Sequence, residues 1–198
     1  MISNYTYTRF NKISRNKIKT SYANRGMGLE NEINLSNEYY RINDKAYIYK
    51  KPTPIKLVDV DYKNGVIKKA FFQTPSTTDY NGIYKGKYVD FEAKETKSKT
   101  SFSLDNIHEH QIKHLIDVKR HGAISFLIVR FTVLDETYLL STEKLEYFIK
   151  NNKRRSIPLS FFKSYGTIIK IKYSPRIDYL EEVNNLYFGG NENDEKKK

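Results

Sequence analysis

The feature that most constrains this chain is the run from Ala123 to Val133, AISFLIVRFTV, which is almost continuously apolar. A strand with one face in water alternates apolar and polar residues, whereas a strand covered on both faces does not. The run therefore predicts a central strand between two layers. Helical spacing flanks it. Leu29, Ile33 and Tyr40 fall near one face of a helix predicted from Arg25 to about Asn43. Ile107, Gln111, Leu115 and Val118 form a stripe on a second helix, from about Leu104 to Arg120. Thr142 to Lys150 and Asp178 to Tyr187 read as two further helices. Strands are predicted at Ala46–Lys50, Ile55–Tyr62, Val66–Phe72, just before Tyr84, and at Tyr88–Glu95, Glu136–Ser141 and Thr167–Tyr173. This order predicts an α/β fold, a mixed β-sheet flanked by helices.

One pair of strands does not fit a buried sheet. Ile55–Tyr62 and Val66–Phe72 are joined through Lys63-Asn64-Gly65, a hairpin signal, yet both carry lysines and neither has a clean apolar face. A hairpin over about residues 52–73 that buries so little is expected to project from the body. Its Lys56, Lys63, Lys68 and Lys69 belong to a larger surplus, for 35 Lys and Arg face 23 Asp and Glu, a net charge of +12. Such a surplus favours a polyanion, nucleic acid before an anionic membrane. Residues 1–22 read as a flexible basic arm, either tracking phosphates or simply solvated, and residues 189–198 as a disordered tail. The absence of cysteine excludes disulfides and thiolate zinc sites. There is no signal-like h-region at the start and no apolar run of about 18 to 20 residues, so a cytoplasmic protein without membrane contact is expected.

Chemistry concentrates in Tyr88-Val89-Asp90-Phe91-Glu92-Ala93-Lys94-Glu95. Strand alternation places Asp90, Glu92 and Lys94 on one face, with Phe91 and Ala93 on the other. Such a row serves either as a solvated ladder or as a site. Asp79, thirteen residues before Glu92 and in a turn that feeds the same hairpin, offers a second carboxylate at that end of the sheet. Two carboxylates suit a hard divalent cation, and a lysine beside it can neutralise charge on a phosphoryl group. His110 and His114 stand four apart, a zinc-like spacing, but Ile112 denies an HExxH motif. That helix face is expected to point at DNA or solvent.

Asp79…Glu92-x-Lys94 resembles the PD-(D/E)xK nuclease signature, with Thr78 where a proline is usual. The surrounding segments are more specific. Arg25-Gly26-Met27-Gly28-Leu29-Glu30, Lys50-Lys51-Pro52-Thr53-Pro54, Pro75-Ser76-Thr77-Thr78-Asp79-Tyr80-Asn81-Gly82, Asp90-Phe91-Glu92-Ala93-Lys94-Glu95-Thr96 and Pro175-Arg176-Ile177-Asp178-Tyr179 closely resemble the RecU family of Holliday junction resolvases. The likeness runs in order from about Ala23 to Phe188. It implies a restriction-endonuclease-like sheet, a nuclease domain over residues 23–188, and a stalk at the basic hairpin that reaches the junction centre. It further implies Mg2+, with Mn2+ as a substitute, held by Thr77, Asp79, Glu92 and Gln111, with Lys94 catalytic beside Asp79 and Glu92. DNA contacts are expected from Lys56, Lys63, Lys68, Lys69 and Arg25. The expected assembly is a homodimer on a four-way junction, with recombinase or branch-migration proteins as further partners. Two other readings stay open: a duplex-acting nuclease of the same fold, or an architectural junction binder.

Overall fold

The structure is a computed structural model and describes residues 28–72 and 77–189. Helix α1 (Leu29–Ile42) leads into strand β1 (Tyr47–Lys50), after which β2 (Ile55–Asp61) and β3 (Val66–Phe72) pair with each other. Strands β4 (Tyr80–Tyr84) and β5 (Lys87–Thr96) follow, then β6 (Ser101–Ser103), a 3-10 turn over Leu104–Asn106, and helix α2 (Glu109–Arg120). Next come β7 (Ile124–Phe131), β8 (Glu136–Ser141), α3 (Thr142–Asn151), β9 (Ser156–Pro158), α4 (Leu159–Tyr165), β10 (Thr167–Ile168) and α5 (Tyr179–Phe188). Six strands form one mixed sheet in the order β1-β4-β5-β7-β8-β10, in which β5 and β7 run parallel and the other neighbours antiparallel. No helix among the described residues is long and apolar enough to cross a membrane.

Every residue of β7 is buried, as its continuous apolar run predicts. Ile124, Phe126 and Ile128 join a core with Leu29, Ile33 and Tyr40 of α1 and Tyr179, Leu180 and Val183 of α5. Leu127, Val129 and Phe131 face the opposite way, into a second core with Leu115, Leu145, Phe148 and Phe162 from α2, α3 and α4. Arg130 interrupts the apolar run on the α1 side. Its charge is met there by buried Glu32 at 2.5 Å, and its Nε donates to Thr137 Oγ1.

The register around β5 is fixed from behind. Tyr80, Phe91 and Phe126 are cross-strand partners on β4, β5 and β7, and their rings stack at centroid distances of 4.8 and 4.7 Å. In the β4–β5 hairpin, Tyr84 pairs with Lys87, and Lys85 and Gly86 both have positive φ, as a two-residue type I′ turn demands. Strand β1 docks on β4 where the latter has no side chain. A Cβ on Gly82 would come within 2.1 Å of the Tyr47 carbonyl oxygen and 2.6 Å of Ile48 Cα.

Three elements differ from expectation. The helix predicted from Leu104 begins at Glu109: the Ser103 hydroxyl accepts from the Asp105 amide in a single 3-10 turn, and Ile107 returns to extended backbone. The strand predicted over Thr167–Tyr173 pairs with β8 for two residues only. The Ile169 amide still donates to the Thr137 carbonyl, and the chain then leaves β8. It folds back, with Ile171 bridging Ile177. Strands β6 and β9 and helix α4 lie in stretches for which the sequence pattern predicts no element. The paired β2 and β3 form a separate two-stranded sheet in which no side chain is buried and only Val60 and Asp61 are even half-buried. The loop between them spans residues 62–65, with Gly65 at positive φ and the Asn64 side chain bonded to Asp61. Residues 1–22, Arg25 and the tail from residue 190 lie outside the described residues.

Because Phe91 is fully buried in the middle of the ring stack, Phe91→Ala should cost about 3–5 kcal/mol of stability. Urea denaturation monitored by circular dichroism measures it.

Candidate active site

Strand alternation places Asp90, Glu92 and Lys94 of β5 on the face that looks toward α2. They are not a solvated ladder. Asp90 and Glu92 are fully buried, and the Lys94 side chain is 27% exposed. The polar row lies where the second core stops: β7 next door offers Leu127 and Val129 to α2 and α3, while β5 offers charge.

Asp79 immediately precedes β4 and is joined to β5 by reciprocal bonds. Its backbone amide donates to Glu92 Oε2 at 3.0 Å, and its own Oδ2 accepts from the Ala93 amide at 3.2 Å. The second oxygen of Glu92 accepts from Gln111 Nε2 at 2.8 Å and lies 2.5 Å from Lys94 Nζ. Gln111 is oriented in turn by the His108 amide, which donates to its Oε1 at 3.0 Å. The polar residue on an otherwise apolar stripe is therefore aimed at a buried carboxylate, and it presents its amide nitrogen. Thr77 sits in the same segment as Asp79, exposed, with its hydroxyl accepting from Lys51 Nζ at 3.0 Å.

The nearby Asp79 carboxylate opposes the ionisation of Glu92. Burial, reinforced by Asp79, pushes Glu92 up to about 7, and the Lys94 ammonium acts the other way. A cation between the carboxylates would relieve both penalties. Among the described residues no three His, Cys, Asp or Glu side chains group to hold a metal. The protein offers two carboxylates with the Thr77 hydroxyl in the adjoining segment, whereas Gln111, expected as an oxygen ligand, turns its nitrogen to Glu92 because its oxygen accepts from the His108 amide. That set fits magnesium, which keeps several waters and takes one or two carboxylates together with substrate phosphate.

The predicted DNA contacts are placed apart from this centre. Lys56, Lys63, Lys68 and Lys69 all lie on the β2–β3 hairpin and are exposed. Lys68 is 3.7 Å from Asp61, and Lys69 lies over the Phe71 ring. Arg25 lies outside the described residues. The sequence places Asp90 beside Glu92 on the same face, as either a supporting or a solvated group, but gives no sign of its partners. Asp90 is a fully buried hub bonded to Lys51, Thr78, Tyr88 and His114. His114 thus faces a carboxylate rather than DNA or solvent. Nothing local in the sequence joins Lys51 to Asp90, because they stand 39 residues apart.

Fold and site together define a mixed α/β protein in which Asp79, just ahead of β4, meets Glu92 of β5, with Lys94 of the same strand against the Glu92 carboxylate. The family model for Recombination protein U matches residues 24–185, and the chain belongs to the RecU family. A relative from Geobacillus sp. (strain WCH70), named Holliday junction resolvase RecU, is 51% identical over 93% of this chain and 94% of its own length. A relative of the same name from Staphylococcus carnosus (strain TM300) is 52% identical over 90% of this chain and 88% of its own length. A solved structure of Archaeoglobus fulgidus Hjc, a Holliday junction resolvase, overlaps 71% of this chain and 95% of that one, with a TM-score of 0.43 and 16% identity.

The raised Glu92 value has a definite sign. Without a cation, ionising Glu92 costs more in the folded protein than in the unfolded chain. Its contribution to stability is therefore complete below about pH 4.5 and is lost as pH rises through about 7. Metal-free protein should lose stability over that window in a way that Glu92→Gln abolishes. Mg2+ binding near pH 7 should release a proton, read by calorimetry in buffers of different ionisation enthalpy.

Proposed function

We propose that this protein is a divalent-metal-dependent endonuclease that resolves Holliday junctions by paired symmetric nicks, acting in cytoplasmic DNA recombination and repair. The observation that carries the reading is the meeting of half-buried Asp79 and partly exposed Lys94 at the buried Glu92 carboxylate of a RecU-family chain. Asp79 and Glu92 would hold Mg2+, or Mn2+ in its place, with the Thr77 hydroxyl and Gln111 completing the polar surround. Held there, such a cation would supply Lewis-acid polarisation of the phosphoryl group and activation of the attacking water. Lys94 places its ammonium where negative charge grows on the phosphoryl oxygens. Gln111 and the Ala93 amide hold the two carboxylates in place while the charge moves. Hydrolysis at phosphorus with departure of the 3′ oxygen leaves 5′-phosphate and 3′-hydroxyl ends.

The exposed hairpin would supply affinity through Lys56, Lys63, Lys68 and Lys69, whose phosphate contacts carry register and little base information. Two nicks on a nearly two-fold symmetric junction call for two centres, which a C2 homodimer provides.

A synthetic four-way junction, a matched linear duplex and Mg2+ test the reading. Wild type should nick the junction symmetrically and leave the duplex whole. Glu92→Gln should bind the junction but cut it on the order of 10² to 10³-fold more slowly, as should Lys94→Ala. No cutting of either substrate by wild type would end the nuclease reading in favour of an architectural binder. Equal cutting of both would leave a duplex nuclease. Replacing Lys56, Lys63 and Lys69 together with alanine should flatten the salt dependence of junction binding, by about 0.9 in log–log slope for each phosphate no longer neutralised. Fluorescence anisotropy across a potassium chloride series checks this.

A further inference from the structure

The hub around Asp90 lies at the place where the hairpin joins the body. Lys51 is the last residue before Pro52-Thr53-Pro54 and β2, and Thr77 and Thr78 are where the described chain resumes after β3. Lys51 spans both legs. Its backbone amide donates to the Asp79 carbonyl at 2.8 Å, extending the β1–β4 ladder one step beyond the Lys50–Tyr80 pair. Its ammonium donates to Thr77 Oγ1 at 3.0 Å, Thr78 Oγ1 at 2.6 Å and Asp90 Oδ2 at 2.8 Å. The side chain is only 14% exposed.

Donor and acceptor capacity decides what these groups can do. An ammonium has three N–H bonds to give, and Lys51 has committed all three. It keeps none for a phosphate. An ionised carboxylate has about four acceptor sites. Asp90 meets Lys51, the Thr78 hydroxyl, Tyr88 Oη at 2.8 Å and His114 Nε2 at 3.1 Å. It keeps none for a metal, although it stands two residues from Glu92 on the same face. The Thr77 hydroxyl, by contrast, accepts one bond and retains further capacity. Stability is a weak account of the pair, since a well-packed apolar replacement of a buried ion pair is often neutral or better. What the pair fixes is position: three consecutive residues, Thr77, Thr78 and Asp79, are held by one lysine.

We propose that Lys51 and Asp90 are positioning residues that clamp the two legs of the hairpin together and hold the Thr77–Asp79 segment where Asp79 meets Glu92. They touch neither metal nor DNA. They act through Asp79 and Thr77, and they tie the base of the junction-binding hairpin to the cutting centre. The inference rests on the resolvase reading above. It assigns Asp90 a role distinct from Glu92, although strand parity makes the two look alike.

The test compares Lys51→Met, Asp90→Asn and the double variant with wild type, full chain in each case. Mg2+ affinity is measured by calorimetry, junction affinity in EDTA, and cutting rate as a function of Mg2+ concentration. Each variant should bind Mg2+ about 10- to 100-fold more weakly, the usual effect of losing a group that orients a ligand. Cutting should fall at low Mg2+ and recover toward wild type as Mg2+ is raised. Junction affinity in EDTA should stay within about twofold of wild type, because every phosphate-binding lysine of the hairpin is still present. Wild-type Mg2+ affinity in the folded variants overturns the proposal. So does junction affinity in EDTA that falls in step with cutting, which would make Lys51 a DNA contact. Removing one member leaves the other charge buried and unpaired, so thermal unfolding is recorded throughout and the double variant carries no charge at either position. If that variant also fails to fold, the pair is structural and the proposal falls. Wild type that neither binds Mg2+ nor cuts junctions would instead end the resolvase reading itself.

Discussion

The candidate site depends on one registration: Tyr80 opposite Phe91 opposite Phe126, three rings stacked through the buried side of β4, β5 and β7. Asp79 precedes the first ring and Glu92 follows the second. A slip of one residue between β4 and β5 would turn the whole carboxylate row into the aromatic core and the rings out to the polar face. The penalty on both sides is large, because a fully buried ring stack and a buried carboxylate pair cannot exchange places. Apolar packing on one face of β5 is thus what gives the other face its geometry. Gly82 lets β1 approach β4 closely and brings Lys51 alongside Asp79.

On the polar face the sheet tolerates charge because every charge there has partners. Glu92 accepts from the Asp79 amide and Gln111 and lies against Lys94, and Asp90 accepts from four donors. The two carboxylates nevertheless differ in kind. Asp90 is saturated within the protein and its lysine has no N–H left to give. Glu92 faces a second carboxylate, and burial has pushed it up to about 7. A group in that condition gains from a cation, and a group in the condition of Asp90 does not. The distinction separates a ligand from the frame that holds it, two residues apart on one strand.

Much of this is legible in the sequence because it is periodic. The apolar run Ala123–Val133 announces a doubly covered strand, and alternation alone puts Asp90, Glu92 and Lys94 on one face. The spacing to Asp79 suggests convergence, and the hairpin's lysines and meagre apolar faces suggest its exposure. What stays hidden is not periodic. The Asp90 hub collects Lys51, Thr78 and His114 from three distant places in the chain beside its strand neighbour Tyr88, and no local pattern links those three to it. His114 reads as a surface histidine because its carboxylate partner lies 24 residues away. Strands β6 and β9 are three residues each and β10 is two, too short for alternation to register.

Arg130 shows the same logic on the far side of the sheet. It stands in an apolar run, and a charge there would be costly if alone. Glu32 of α1 meets it, and Arg176 reaches the other oxygen of Glu32 at 2.5 Å. Glu95, one residue past Lys94, accepts from the Leu29 amide at 2.9 Å, where the first turn of α1 has N–H groups to satisfy. The strand that carries Glu92 and Lys94 is therefore tied to α1 by charge at its end, to β4 and β7 by ring stacking behind, and to the hairpin base through Asp90 in front. None of these ties touches the reacting groups. Together they hold Glu92 beside Asp79, so burial and the Asp79 carboxylate go on opposing its ionisation in the folded state, a penalty that a bound cation would offset.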